Sequence, residues 1–97
     1  IWSDYEAMIA QANDTEYGLA SGIYTSNLKH AMETADRLEA GSVWINRYSN
    51  ITDGTAFGGY KNSGIGREFC RETLNAYTQV KTVTVQSEVP TAWFAPR

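Results

Sequence analysis

Apolar residues recur every three to four positions near the start of the chain, a spacing typical of an amphipathic helix. Four of them share one face of a predicted helix over residues 4–12: Tyr5, Met8, Ile9 and Ala12. Ser3 and Glu6 have the spacing of a capping box, in which the serine oxygen and the glutamate satisfy backbone N–H groups at a helix start. The pattern therefore predicts a short helix that is capped by Ser3.

The clearest helix pattern lies in "NLKHAMETADRLEAG", residues 27–41. Five apolar residues there follow the helical repeat: Leu28, Ala31, Met32, Ala35 and Leu38. Asn27 is a favoured N-cap, and Gly41 stands where a left-handed C-terminal cap is expected. We therefore predict a second helix that Asn27 and Gly41 delimit.

Two strand patterns flank this second helix. Residues 17–26 form one candidate, which Gly18 and Gly22 weaken. The other is "SVWIN", residues 42–46, a short and mostly apolar run typical of a strand that is buried on both faces. A strand, a helix and a strand in this order predict a βαβ unit with a right-handed crossover.

Three further stretches complete the pattern. Residues 47–66 show no periodicity, and stretches of this length without secondary structure are usually functional in compact proteins. A third helix is predicted over 67–77, with one face formed by Phe69, Cys70, Thr73, Leu74 and Tyr77. "VKTVTVQ", residues 80–86, alternates valine with threonine and predicts a strand.

The segment "AFGGYKNSGIGRE", residues 56–68, places four glycines ahead of the predicted third helix, where phosphate-binding turns are found. The dinucleotide fingerprint is incomplete, because Phe69 stands where a third glycine should follow Gly64 and Gly66. The Walker pattern also fails, since Lys61 precedes Gly64. These glycines favour turns and close backbone approach, and a nucleotide-binding protein is a remote alternative.

Composition narrows the class of protein. The 97 residues allow one small domain, and the net charge of −3 with eight scattered Lys and Arg residues argues against a nucleic-acid partner. No apolar run is long enough to cross a bilayer, so no membrane partner is expected. A single cysteine favours a reduced compartment and predicts a cytoplasmic protein. Because Ile1 replaces an initiator methionine, we expect a piece of a longer polypeptide.

Few side chains are candidates for chemistry by themselves. Cys70 is expected to be a buried structural cysteine, and His30 a solvated histidine without metal-ligating partners at the right spacing. Arg47 and Asp53, in the aperiodic stretch, either serve a polar substrate or are simply solvated. The residues alone predict a βαβ-containing fragment without complete catalytic machinery.

The pattern from about residue 6 to residue 86 resembles the C-terminal end of the NAD(P)-dependent aldehyde dehydrogenase superfamily. Three motifs carry this resemblance in the family's order and spacing: "ANDTEYGLA", "EAGSVWIN" and "FGGYKNSGIGRE". The resemblance implies an α/β fold, with residues 1–79 as the closing part of the catalytic domain. Residues 80–97 would then be the oligomerisation strand and tail of a homodimer or homotetramer.

The resemblance also implies what this segment contributes to the reaction. In the family a cysteine attacks the aldehyde, the thiohemiacetal passes hydride to NAD or NADP, and a glutamate activates water to release the acid. Those catalytic residues and the cofactor-binding residues would lie upstream, so none is expected in this segment.

Six residues correspond to positions with a role in the family. Ile51 and Phe57 would line the aldehyde channel, and Arg47 and Asn50 would lie close by. The backbone carbonyls of Lys61 and Gly64 would bind a monovalent cation between subunits. The alternative from another class is an independent, non-catalytic structural or interaction module with an association-prone β-strand.

Overall fold

The computed structural model describes residues 2–88, so Ile1 and the part of the predicted tail beyond residue 88 lie outside the described residues. Helices and strands are mixed along the described chain. In order they are α1 (Tyr5–Asn13), β1 (Tyr17–Gly18), β2 (Ala20–Ile23), α2 (Leu28–Arg37), β3 (Ser42–Ile45), β4 (Tyr60–Lys61) and α3 (Arg71–Ala76).

The first helix lies where the sequence predicts it, but a different residue caps it. Asp4, not Ser3, is the N-cap, and its Oδ1 accepts a hydrogen bond from the Ala7 amide at 2.9 Å. A carboxylate at this position also interacts favourably with the helix dipole. Glu6 does not close a capping box, because its carboxylate is held by Arg37 of α2.

The second helix begins as predicted and ends earlier than predicted. Asn27 is its N-cap and accepts a hydrogen bond from the His30 amide at 3.1 Å. Leu38, in an extended conformation, ends the helix, and Gly41 has no positive φ. A Cβ at Gly41 would lie 1.8 Å from the Gly58 carbonyl oxygen. The prediction of a left-handed cap was therefore wrong, and Gly41 serves close backbone contact instead.

Two small sheets organise the strands. β2 and β3 are parallel neighbours, paired from Ala20 with Ser42 to Ile23 with Ile45, and α2 connects them. β1 pairs antiparallel with β4, which places Tyr17 opposite Lys61. The residues of β3 are only partly buried, so the prediction of a strand buried on both faces is wrong within the described chain.

The core among the described residues is small. The buried side chains are Ile9, Ala31 and Thr34, and the Tyr5 hydroxyl shares a hydrogen bond of 3.0 Å with Thr34 Oγ1. The chain exposes 8396 Å². A compact monomer of this length exposes about 5500 Å². Much apolar surface is therefore uncovered in the isolated chain.

The third helix is shorter than predicted. It begins at Arg71, because Glu68 pairs with Phe57 in an isolated bridge and Phe69 has a φ of 59°. Cys70 consequently lies at the N-cap, where it is partly exposed, and not on a buried helix face as predicted.

Residues 80–86 form no strand in the described structure, which contradicts the strand predicted for the chain alone. Their valines are open to solvent, with exposed fractions of 99% for Val80, 74% for Val83 and 84% for Val85. A strand needs a hydrogen-bonding neighbour, and the described residues do not supply one to this segment.

Candidate functional site

Three aromatic side chains meet at the end of β3, and we call Trp44, Tyr48 and Phe57 the aromatic cluster. The ring centroids of Trp44 and Phe57 are 6.5 Å apart, with 29° between the ring planes. Tyr48 meets the Trp44 ring edge-on, with centroids 5.1 Å apart. Both distances lie within the range of favourable aromatic pairs. The cluster brings the start of the aperiodic stretch together with its middle.

A hydrogen bond joins another residue near the start of that stretch to the same tryptophan. Trp44 Nε1 donates to the Asn50 carbonyl oxygen at 2.9 Å. The structure therefore brings two of the predicted site residues, Asn50 and Phe57, to one indole. Sequence reasoning missed Trp44, and the one signal available was a large aromatic residue in the strand just before the loop.

The root of the loop is fixed by the residue that follows β3. Asn46 has a φ of 57°, and its side-chain amide exchanges two hydrogen bonds of 2.9 Å with the Thr25 backbone. Asparagine tolerates this left-handed conformation better than most residues. The chain can therefore turn sharply out of the sheet at the point where the predicted site residues begin.

The two other predicted substrate contacts, Ile51 and Arg47, are exposed to solvent. Ile51 is 38% exposed, and Arg47 is exposed and forms no ion pair within residues 2–88. Asp53 is also exposed, and it forms no ion pair with another residue of the described range. Arg47 therefore lies at the start of the loop that follows β3, and the structure brings it to no charged partner within residues 2–88.

A closed hairpin holds Phe57 in place. Its backbone exchanges hydrogen bonds of 3.0 and 2.7 Å with Glu68, and Arg67 Nη1 donates to the carbonyls of Gly59 and Gly66 at 3.0 and 2.8 Å. A Cβ at Gly58 would lie 2.3 Å from the Gly66 carbonyl oxygen. Glycine at 58 is thus required by close contact within the hairpin.

Three consecutive amides in the turn of this hairpin donate hydrogen bonds within the chain. Those of Asn62, Ser63 and Gly64 donate to backbone carbonyls of the chain itself, at 3.0, 3.1 and 3.4 Å. A phosphate cradle needs such amides to be free and to point at the ligand. These three amides are therefore not available to a phosphate, and the glycine fingerprint of this segment is also incomplete.

The two residues predicted to bind a cation lie in one turn. Lys61 has a φ of 51° and Gly64 a φ of 109°, and the Lys61 carbonyl accepts the long bond from the Gly64 amide. The Lys61 ammonium group is engaged elsewhere, since it donates to the Asn13 and Thr15 carbonyls at 2.7 and 3.2 Å and pairs with Glu39. Within residues 2–88 no group of three His, Cys, Asp or Glu side chains is arranged to hold a metal ion.

The other two candidates for chemistry, His30 and Cys70, lie against neighbouring side chains. The His30 ring lies 4.8 Å from the Tyr5 ring and is half-buried, so the prediction of a fully solvated histidine is wrong. The Cys70 thiol lies 3.9 Å from Thr73 Oγ1, and a hydrogen bond from Cys70 is the main cause of the lowered pKa of Glu72.

Among the described helices, none has the length and apolarity that crossing a membrane requires.

Comparison with known proteins gives a consistent match. The model of the aldehyde dehydrogenase family matches residues 1–83. An aldehyde dehydrogenase of Enchytraeus buchholzi is 46% identical over 86 residues, which is 89% of this chain and 17% of the relative. Betaine aldehyde dehydrogenase 2 of Rhizobium meliloti is 48% identical over 87 residues, 90% of this chain and 18% of the relative.

Solved structures agree with these sequence matches. An aldehyde dehydrogenase from Bacillus cereus, solved in complex with NAD+, superimposes with a TM-score of 0.78 at 45% identity. The match covers 90% of this chain and 18% of that one. Betaine aldehyde dehydrogenase from Staphylococcus aureus, also with NAD+, gives a TM-score of 0.79 at 34% identity over 98% of this chain and 19% of that one. The chain thus spans less than a fifth of these relatives, and their names do not favour the non-catalytic module.

Proposed function

Because the chain belongs to the aldehyde dehydrogenase family, we propose that it is part of an oxidoreductase subunit that oxidises an aldehyde to a carboxylic acid with NAD+ or NADP+. The family match over residues 1–83 carries this proposal. NAD+ has the more direct support, since two of the similar structures were solved with it. The reactive cysteine, the general base and the cofactor site are proposed to lie outside this segment.

The contribution of this segment is one wall of the aldehyde channel. Phe57 and Ile51 form the apolar part of that wall and Asn50 lies close by, which the contacts of Trp44 with Phe57 and with the Asn50 carbonyl support. An apolar wall holds an aldehyde in a reactive orientation and keeps stray water away. Arg47, exposed beside this wall, then favours aldehydes that carry a negative charge or a polar group.

Subunit contact is the second contribution. The exposed valines of residues 80–86 support a strand that forms only when it pairs with an edge strand of a neighbouring sheet. We propose a homodimer or homotetramer built in part by this segment, with residues 1–79 belonging to the catalytic domain and 80–97 to the oligomerisation strand and tail.

A monovalent cation is the third element of the proposal. The Lys61 and Gly64 carbonyls belong to one turn, and the bond that the Lys61 carbonyl accepts from the Gly64 amide is 3.4 Å long. Such a carbonyl has capacity left for a cation. Unfolding temperatures of the full-length protein, measured while potassium replaces a bulky organic cation at constant ionic strength, test this, because a bound ion gives a stabilisation that begins at low potassium and follows its binding constant.

The deciding experiment for the main activity is an assay of the full-length protein with NAD+ and with NADP+ on a panel of neutral and anionic aldehydes. We expect reduced nicotinamide to accumulate with at least one aldehyde. In Arg47→Ala, the preference for anionic over neutral aldehydes should fall by about threefold, the effect of one exposed charge pair. Arg71→Ala, also exposed, is the matched control and should keep the preference.

Two results would contradict this. No oxidation of any aldehyde with either cofactor would overturn the assignment of the activity. Oxidation with an unchanged charge preference in Arg47→Ala would remove Arg47 as a selector and leave the activity in place.

A further inference from the structure

The geometry points to Trp44 as a positioning residue that sets the width of the aldehyde channel, because one indole contacts both the Asn50 carbonyl and the Phe57 ring of the proposed wall. The inference rests on the proposed function and extends it to a residue that neither the sequence pattern nor the family match assigns. Trp44 belongs to β3 and is only partly buried, so its ring reaches from the sheet toward the loop.

The indole uses its polar and its apolar part for different neighbours. Its single N–H group donates to the Asn50 carbonyl at 2.9 Å, and its face packs beside Phe57 at 6.5 Å. Tryptophan has only this one donor, so the hydrogen bond fixes the orientation of the ring about its side-chain axis. Asn50 and Phe57 are seven residues apart along the chain, and no other described contact joins them both to one side chain.

The opposite strand is shaped to support this arrangement. Gly22 of β2 pairs with Trp44 in the parallel register, and a Cβ at Gly22 would lie 3.0 Å from Tyr48 Cδ2. The absence of a side chain at Gly22 thus leaves room for Tyr48, whose ring meets the edge of Trp44. Tyr48 therefore packs against the edge of Trp44 and supports the orientation of its ring.

A consequence follows for aldehydes of different size. The carbonyl that Trp44 holds belongs to the residue just before Ile51, so both wall positions, 51 and 57, depend on the indole. If the N–H is lost, the loop can relax and the channel loses its defined width. A long aldehyde contacts the wall over its whole length, so its kcat/KM should fall. A short aldehyde is held mainly near the reacting centre, so its kcat/KM should change less.

Trp44→Phe in the full-length enzyme tests this, because phenylalanine keeps an aromatic ring and removes the donor. The measurement is kcat and KM for straight-chain aldehydes of increasing length. We expect the ratio of kcat/KM for long over short aldehydes to fall by about threefold to tenfold, mainly through KM, the effect of one lost hydrogen bond. Trp2→Phe is the matched control: Trp2 is exposed and lies before α1, and its ratio should not change.

A second variant separates the donor from the ring and covers a failure to fold. Histidine also carries a ring N–H, so Trp44→His should keep more of the preference for long aldehydes than Trp44→Phe does. If Trp44→Phe does not fold, Trp44→Leu replaces it, because leucine also lacks the donor, and a long-to-short ratio equal to that of the wild type then overturns the inference. Unfolding temperatures of all variants are recorded beside the kinetics.

The outcomes distinguish the two proposals. A wild-type enzyme that oxidises no aldehyde overturns the proposed function itself. An active wild type with the same length preference in Trp44→Phe as in Trp2→Phe overturns the role of Trp44 alone. A uniform loss of kcat over all aldehyde lengths also overturns it, because that result indicates a merely structural residue.

Discussion

Gly41 and Gly58 meet where the loop after α2 passes the hairpin that carries Phe57. A Cβ at Gly41 would lie 1.8 Å from the Gly58 carbonyl oxygen, and no real Cβ tolerates such a distance. The residue type was correctly marked as special by the sequence. Its reason was not, because a left-handed cap and a close backbone contact both require glycine and only the tertiary structure separates them.

We predict that Gly41→Ala destabilises the full-length protein by about 1–3 kcal/mol, since the hairpin must shift to admit the methyl group. Thermal unfolding of the variant measures this. Gly66→Ala is the control, because Gly66 has no atom within 4 Å of its Cβ position and no positive φ. Equal unfolding temperatures for both variants would show that the contact with Gly58 is not maintained in the whole protein.

The site residues show a similar division. Asn50 and Phe57 were identified from the resemblance of their surroundings to a family, and Trp44 was missed. The contacts of Trp44 join positions six and thirteen residues further along the chain, within a stretch that has no periodicity. Such contacts leave no regular pattern in the sequence, because they depend on how the loop returns to the strand.

At the scale of the elements, α1 and α2 are joined by a stack of side chains around Tyr5. The Tyr5 ring lies between the His30 ring at 4.8 Å and the Arg37 guanidinium at 5.1 Å. Arg37 also donates two hydrogen bonds to the Glu6 carboxylate, in the paired geometry that suits arginine. This hydrogen bonding lowers the pKa of Glu6 and raises that of Arg37.

The pKa shift of Glu6 predicts how the stability depends on pH. A carboxyl group with a lowered pKa in the folded state contributes stability above its unfolded pKa and loses it as the pH falls through the folded value. Glu6→Gln should therefore unfold at a lower temperature than the wild type at neutral pH, by a small amount since the pair is exposed.

The difference should disappear as the pH falls below the ordinary range for glutamate, and unfolding temperatures across an acid titration measure it. Glu33→Gln serves as the control, because the Glu33 carboxylate forms only a long, exposed ion pair of 3.9 Å with Lys29. A Glu6→Gln gap that stays constant down to acid pH would contradict the role of the ionised carboxylate.

Lys61 connects three elements through its ammonium group. It reaches the end of α1 and the segment after it through two carbonyls, and it pairs with Glu39 after α2. Its side chain is 26% exposed, so these interactions are partly shielded from water. This contact orders the start of the hairpin, because β4 consists of Tyr60 and Lys61.

Replacing Lys61 with methionine should cost about 1–3 kcal/mol, the usual value for a charged donor whose acceptors are left without a partner. Urea unfolding of the full-length protein provides the measurement. Lys29→Met is the matched control and should change stability by less than about 0.5 kcal/mol, since its pair with Glu33 is exposed. A loss no larger than that of Lys29→Met would contradict the connecting role of Lys61.

At the scale of the whole molecule, the described chain leaves much of its apolar surface open. Large side chains from several elements are exposed, among them Tyr24, Leu28, Ile65 and Tyr77. Patches of this extent are typical of surfaces that are covered by further protein. We propose that the rest of a catalytic domain covers most of them and that a neighbouring subunit covers residues 80–86.

Val83→Lys tests the subunit contact, because it places a charge on the valine face of the proposed strand. We expect the full-length protein to shift from a dimer or tetramer to a smaller species, measured by light scattering during gel filtration. Thr84→Lys is the control on the other face and should leave the assembly intact. An unchanged assembly in Val83→Lys, or a wild type that is already monomeric, would contradict the contact.

The sequence by itself determined the elements whose cause is local. Periodicity predicted α1 and α2, and the cap at Asn27 fixed the start of α2. The predicted order of strand, helix and strand matches the observed parallel pair of β2 and β3. These features depend on neighbours within one or two helical turns or on an alternating face, which the chain displays directly.

Only the tertiary structure decided the features that depend on distant partners. The late start of α3 follows from the pairing of Phe57 with Glu68, and the strand at 80–86 is absent because no neighbour among the described residues supplies its hydrogen bonds. The Trp44 contacts with Asn50 and Phe57 belong to the same group. Each is a choice among locally acceptable conformations, and a contact made elsewhere in the chain decides it.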